Sequence, residues 1–367
     1  MRFARMRFAQ YYPGAAGPHS GVVAGIAAWT NALLAAGQDV VVLHPGEPPD
    51  DSRYGDAQLR PVRHAGRGRA ALVPVGLASA LHDVDILVLH EAWFTANLVA
   101  ARAARRAGVP YVVVPHGVFQ PTWVSYLRQP RALRRSLEAS VLRGAAAVHA
   151  FFPAEAEHAR LIEPSVRSVI APMGFDVPAQ RWRPGGDYLA WYGRYAVRNK
   201  GIDVLLESLA AVPAARRPRL RMHGLDYEGG FARTRALVAE LGISDWVEVS
   251  GPIWGEQKLE LVLGSAGFVH PSRWDCIPIA VAENLALGVP CLVSDQINPA
   301  ADLATAGAAL VTSLDRCALS TALAEFPGRG QEFSARGRAF VTEQLAWSAI
   351  VPSYLNQIGS VLGGRTA

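Results

Sequence analysis

Lysine is almost missing from this chain. Of its 36 basic residues 34 are arginine, and only Lys200 and Lys258 are lysine. Arginine fills the ordinary surface roles, so each lysine marks a place where a compact, strongly hydrated ammonium is used instead. Cysteine is scarce as well: Cys276, Cys291 and Cys317 are odd in number and lack C-x-x-C spacing. That argues against a disulfide framework or a cysteine-held zinc, and a reducing cytoplasm is the expected compartment. No apolar run reaches the 18 residues of a membrane span, and Gln10, Tyr11, Tyr12 and Pro13 interrupt the only early stretch that could serve as a secretory signal. MRFA occurs twice within the first nine residues, which makes Met6 an alternative start. The net charge of +5 is too small to require nucleic acid as a partner, while a pI of 9.3 suits an anionic small molecule or an acidic surface. Gly14, Gly17, Gly21 and Gly25 do not have GxGxxG spacing, which makes a dehydrogenase a poor reading.

What the chain does have is enough apolar sequence, 50% of 367 residues, for two cores. Short β-branched runs alternate with amphipathic windows, the pattern of an α/β fold with parallel sheets. Strands are predicted near 8–12, 39–44, 85–90, 111–115 and 147–151, with helices at 21–36, 95–107, 131–143 and 154–161. After a linker bearing Pro172, Pro178, Pro184 and Gly185 the alternation restarts. Strands follow at 188–192, 219–223, 247–250, 267–270 and 290–294, with helices at 202–211, 231–241, 257–263, 279–287, about 331–344 and 348–362. The expectation is two Rossmann-like doubly wound domains, 1–177 and 183–345, facing a central cleft, with a terminal helix 346–367 docking back on the first. Ligands bind at the carboxyl ends of such strands, so function belongs in the strand-to-helix loops.

Two of those loops carry chemistry. The strand ending Gly193-Arg194 is followed, after five intervening residues, by Lys200-Gly201, which opens a helix. Two cations beside a helix N-terminus suit a diphosphate, with a solvated basic loop as the plain alternative. The spacing and the glycine after Lys200 exclude a Walker A loop. The second loop, His270-Pro271-Ser272-Arg273-Trp274-Asp275-Cys276-Ile277-Pro278, leads into a helix bearing Glu283. Asp275 and Glu283 stand eight residues apart, one before the helix and one inside it, and can grip different parts of a long ligand. Glu283 lies in an apolar helix and needs a partner: ligand hydroxyls, or a structural arginine.

Together these residues resemble the retaining glycosyltransferases of the GT-B fold, specifically family four. That family carries a Gly-Arg…Lys-Gly element and a later Glu-x7-Glu element, matched in order by Arg194, Lys200, Asp275 and Glu283. The resemblance also takes in Pro18-His19-Ser20-Gly21, Pro115-His116-Gly117 and Ile170–Asp176. It implies transfer of a hexosyl-type sugar from a nucleotide-diphosphate donor to an acceptor hydroxyl, retaining and metal-independent, with no cofactor. Arg194 and Lys200 would hold the diphosphate, Glu283 the ribose, and Asp275 and His116 the transferred sugar. The loop Cys276–Ile277 and the amides of Ile279 and Ala280 would meet sugar and phosphate, and Gly21 would admit the phosphates to the first helix. The acceptor would fall to the first domain, near His90, Glu91, Trp93 and Trp123, with a natural product or a glycan as the acceptor class.

This chain departs from that pattern in having aspartate first and Cys276-Ile277-Pro278 where Gly-Phe-Gly is usual, and Pro278 brings no N–H. Two alternatives therefore stand: a GT-B sugar-nucleotide epimerase or hydrolase, and a non-catalytic nucleotide-sugar-binding protein. Asp83-Val84-Asp85 has the form of a DxD metal motif but reads as the ordinary start of a strand. His90 with His116 reads as a polar cluster rather than a metal site, and His44 and His149 as core histidines. Arg128, Arg131, Arg134 and Arg135 beside Leu133 and Leu137 read first as a solvated face, with weak contact to an anionic lipid surface or a phosphorylated acceptor as the alternative.

Overall fold

The computed structural model describes residues 4–14, 21–45, 53–66, 73–125, 131–276 and 278–363. The chain divides into two compact units, Met1–Gly174 with Trp347–Ala367, and Phe175–Ala346.

The first unit contains, in chain order, β1 (Arg7–Tyr11), α1 (Gly21–Ala35), β2 (Asp39–Pro45), β3 (Gln58–Ala65), β4 (Val73–Val75), α2 (Leu77–Ala80) and β5 (Ile86–His90). It continues with α3 (Thr95–Ala107), β6 (Tyr111–Val114), α4 (Pro121–Ser125), α5 (Arg131–Gly144), β7 (Ala147–Ala150), α6 (Pro153–Arg160) and β8 (Ser168–Ile170). The sheet order is β4-β3-β2-β1-β5-β6-β7-β8, parallel except for the β3–β4 pair. Its central strands are buried on both faces, which is why 40–43 and 86–89 read as unbroken apolar runs rather than alternating ones.

The second unit contains β9 (Tyr188–Arg194), α7 (Ile202–Ala211), β10 (Arg219–Leu225), α8 (Gly230–Glu240), β11 (Val247–Ser250), α9 (Gly255–Leu263) and β12 (Gly267–His270). Then come α10 (Ile279–Leu287), β13 (Cys291–Ser294), α11 (Ala300–Thr305), β14 (Leu310–Thr312) and α12 (Arg316–Gln344). Its sheet is wholly parallel, ordered β11-β10-β9-β12-β13-β14. Both sheets are doubly wound, with the order reversing beside the first strand of each unit. In the second unit that reversal puts the loops after β9 and β12 next to one another at the carboxyl edge, where such folds bind ligands.

The closing helix α13 (Trp347–Gly363) belongs to the first unit. Tyr354 packs on Phe8, Trp29 and His149, and the Gln357 amide bonds both the N–H and the C=O of Ile170, 3.0 Å each. His149 donates to the Ala171 carbonyl, 2.8 Å, as a core histidine. Helix α12 starts fifteen residues before its predicted Gln331, because Pro327 lies inside it and Asp315 caps it by accepting from the amides of Cys317 and Ala318, 2.9 and 3.0 Å.

Candidate active site

In the second unit the loops after β9 and β12 are laced together. The Arg273 amide donates to the Asn199 carbonyl at 2.9 Å, and the Asn199 side chain donates to the Trp274 carbonyl at 2.8 Å. The Arg273 guanidinium grips Asp203 through two bonds of 2.7 and 2.9 Å. Gly201, the N-cap of α7, has φ 63°, and a Cβ there would overlap the Pro271 carbonyl oxygen; only glycine lets the loops approach this closely.

That close approach brings Lys200 onto Asp275, with Nζ 2.6 Å from Oδ2 and both side chains 16% exposed. The same oxygen accepts from His270 Nε2 at 3.0 Å. Burial opposes ionisation of Asp275, but the Lys200 ammonium and the His270 hydrogen bond win and hold it well below the usual carboxylate range. His270 is itself pushed down by burial, so it is a neutral donor. Arg194 does not join this pair: its guanidinium lies 5.2 Å above the Tyr227 ring. The expected clamp of two cations is therefore one ion-paired lysine and one arginine parked on an aromatic face.

Glu283, on α10, is 35% exposed and is bound through both oxygens. Tyr192 donates to Oε2 at 2.7 Å and Lys258 of α9 to Oε1 at 2.9 Å. Asn284 donates to the Tyr192 hydroxyl at 3.1 Å, and burial together with Glu283 raises the phenol pKa well above its ordinary value. The cationic partner of Glu283 within the chain is thus not an arginine but the chain's other lysine. Two lone-pair positions of the carboxylate are used, leaving room for ligand hydroxyls.

Pro278 is the N-cap of α10, and its carbonyl accepts from the amides of Val281 and Ala282, 2.8 and 3.1 Å. The amides of Ile279 and Ala280 have no intrahelical acceptor, as first-turn amides do not. Ile277 lies outside the described residues, and Cys276 beside it is half-buried. Asp275 bridges to Ile297, and its carbonyl takes the Asn298 amide at 3.0 Å, so the loop after β13 supports this one.

In the first unit, three of the four described non-glycine residues with positive φ sit just past β5 and β6: Glu91 at 58°, Trp93 at 67° and His116 at 53°. Such strain concentrates where side chains are aimed at ligands. His90 is 2% exposed, with one ring nitrogen 2.6 Å from Gln10 Oε1 and the other 2.9 Å from His116 Nε2. It stands behind His116 and cannot touch an acceptor, which corrects its expected role. Trp93 is spent on structure: its indole N–H bonds Val118, its amide bonds Glu138, and its ring meets Phe119 edge-on. Burial raises Glu138 to about 7. Trp123, on α4, is half-buried, and its indole nitrogen finds no partner among the described residues. Glu91 is half-buried. A Cβ on Gly21 would meet nothing, whereas one on Gly25, a turn further along α1, would lie 3.7 Å from His116 Cε1. Pro18–Ser20, Tyr126 and Arg128 lie outside the described residues.

Asp83 is taken up by Arg7 at 2.6 Å and Arg60 at 2.8 Å, and Asp85 accepts the Arg7 amide, so that pair closes a strand start. Among the described residues no three His, Cys, Asp or Glu side chains are grouped to hold a metal.

Two family descriptions cover most of the chain: "Glycosyl transferase 4-like domain" over residues 20–174 and "Glycosyl transferases group 1" over 176–326. The chain belongs to the GT4-like glycosyltransferases of the GT-B fold. It is 28% identical over 317 residues to a GDP-mannose:cellobiosyl-diphosphopolyprenol alpha-mannosyltransferase of Xanthomonas campestris, covering 82% of this chain and 80% of that one. Among solved structures it is similar to sucrose-phosphate synthase from Thermosynechococcus elongatus, with TM-score 0.72, 19% identity and 99% of each chain covered. Anabaena HepE in complex with UDP gives 0.74 at 13% identity, covering 98% of this chain and 100% of that one. At these identities the two structures speak for the fold.

Proposed function

We propose that this glycosyltransferase moves a hexosyl unit from a nucleotide-diphosphate sugar to an acceptor hydroxyl with retention of configuration and without a metal. The observation that carries the reading is the pairing of both lysines with the two acidic residues of the loop and helix after β12, beside the first-turn amides of Ile279 and Ala280. In this reading Lys200 shares its ammonium between Asp275 and the donor phosphates, and Arg194 swings from Tyr227 to join it as charge builds on the leaving diphosphate. Glu283, oriented by Tyr192 and Lys258, accepts from the ribose diol. Asp275, held ionised, accepts from the transferred sugar. No second carboxylate stands ready as a nucleophile in these loops, which favours transfer assisted by the departing phosphate on one face.

The relative's donor and acceptor supply the first assay: GDP-mannose with a saccharide on a polyprenyl diphosphate. Proton NMR of the new linkage should show the donor's anomeric configuration, with turnover unchanged by EDTA. An inverted product, or hydrolysis of the donor without transfer, would refute the mechanism.

A lipid-linked acceptor also accounts for one surface. Leu133 and Leu137 on α5 are 58% and 40% exposed, and Leu161, 55% exposed, adjoins them through a bond from Arg135 to its carbonyl. Exposed leucines with Arg134 and Arg135 on the same helix and Arg160 next to Leu161 suit an anionic bilayer surface. The protein should sediment with phosphatidylglycerol vesicles at low salt and do so less after Leu133→Glu; equal sedimentation of the two would remove this contact.

A further inference from the structure

Gln10, His90 and His116 form a hydrogen-bonded chain whose proton positions follow from one end. The Gln10 carbonyl oxygen can only accept, so the His90 nitrogen 2.6 Å from it, Nε2, carries the hydrogen. A neutral imidazole has one N–H, which leaves His90 Nδ1 as a lone pair. The contact of 2.9 Å to His116 Nε2 is then a bond donated by His116, and His116 Nδ1 is left bare. Neutrality of both rings is given by their surroundings: burial drives His90 far down and brings His116 to about 3.

The backbone holds this ring as firmly as the side chains do. His116 keeps its left-handed φ because the next amide, Gly117 N–H, donates to buried Glu155 at 2.6 Å, and the other Glu155 oxygen takes the Phe151 amide at 2.8 Å. Phe151 meets the ring edge-on, and Gly25 passes Cε1 without a Cβ. His116 is half-buried, whereas His90 is buried, and its Nδ1 has no hydrogen-bond partner among the described residues.

We infer that Gln10 is a positioning residue that fixes the direction of this relay, so that His116 presents an acceptor lone pair to a sugar hydroxyl. The inference rests on the glycosyl-transfer reading for its ligand, but not for its proton arrangement. A lone pair selects for a hydroxyl that can donate. It leaves a deoxygenated or O-methylated sugar unmatched, at a cost of roughly 10- to 100-fold in kcat/KM.

The test has a spectroscopic arm and a kinetic arm. In the full chain with ¹⁵N-labelled histidine, two-bond ¹H–¹⁵N spectra should show His116 with Nδ1 unprotonated and Nε2 protonated. Gln10→Leu should scramble both His90 and His116 into mixed tautomers, and Gln10→Glu, which keeps an accepting oxygen, should restore the ordered pattern. A wild-type His116 protonated at Nδ1, or a pattern indifferent to Gln10→Leu, overturns the relay. In the kinetic arm, monodeoxy forms of the GDP-mannose sugar and, separately, of the acceptor saccharide tell which one supplies the hydroxyl. One of the two series should lose activity in the wild type, and Gln10→Leu should shrink that loss. Equal use of every deoxy form in both series overturns the hydroxyl role. Absence of all transfer would sink the functional reading instead, and the spectra would still decide the relay.

Discussion

Lys200 and Lys258 each end on a carboxylate, and their roles differ in a measurable way. Lys200 offsets the burial that opposes ionisation of Asp275, so Lys200→Ala should abolish transfer and also cost about 3 kcal/mol of stability in urea unfolding, by stranding Asp275. The added change Asp275→Asn should recover part of the stability and none of the activity. If Lys200→Ala unfolds like wild type, the ion pair is not what holds the two loops. Lys258 orients Glu283 from a half-exposed position, so Lys258→Met should raise the donor KM about tenfold with little change in stability. Rarity marked both lysines in the sequence, but only Lys200 stood in a recognisable spacing. Lys258 sits mid-helix on α9, and nothing short of the packing of α9 beside α10 and β9 puts it on Glu283. Gln10 was hidden in the same way: a glutamine in an apolar strand shows its purpose only when the neighbouring strand delivers His90.

At the scale of elements, the central strands were legible as unbroken apolar runs and most helices by their apolar face, several of them closing at a glycine such as Gly108, Gly264 or Gly288. Helices 95–107, 202–211 and 279–287 and strands 247–250 and 267–270 have their predicted bounds. The short helices α2, α4 and α11 escaped, and so did the strands β3, β4, β8 and β14. Strand β3 carries Arg60, Pro61, Arg63 and His64, whose polarity hides the period, and the other three are only three residues long. Such strands form because a neighbour offers hydrogen bonds, a tertiary cause that local pattern does not record. The junction at Gly201 is the element-level feature most open to test. Gly201→Ala meets both positive φ and the Pro271 carbonyl, and should cost about 2 kcal/mol and loosen donor binding. A variant as stable as wild type would mean the two loops can part without loss.

For the whole molecule, the first unit carries an acid-sensitive core. His116 and His149 are pushed down to about 3 and about 4, and His90 further, chiefly by burial. The unfolded chain would take up those protons below about pH 6.5 while the folded one would not, so stability falls as pH drops through that range. Glu138, raised to about 7, acts in the opposite sense, favouring the folded state as pH falls, but it is one carboxyl against three imidazoles. Urea midpoints should therefore decline between pH 7 and pH 5; a flat or rising profile would show that these imidazoles are not held neutral. The central claim is that the loops after β9 and β12 hold the donor nucleotide, and calorimetric titration of the full chain with UDP, GDP, ADP and TDP addresses it directly. One diphosphate should bind, and Glu283→Gln should weaken it at least tenfold. Binding of none of the four, or binding that Glu283→Gln leaves untouched, would contradict the account.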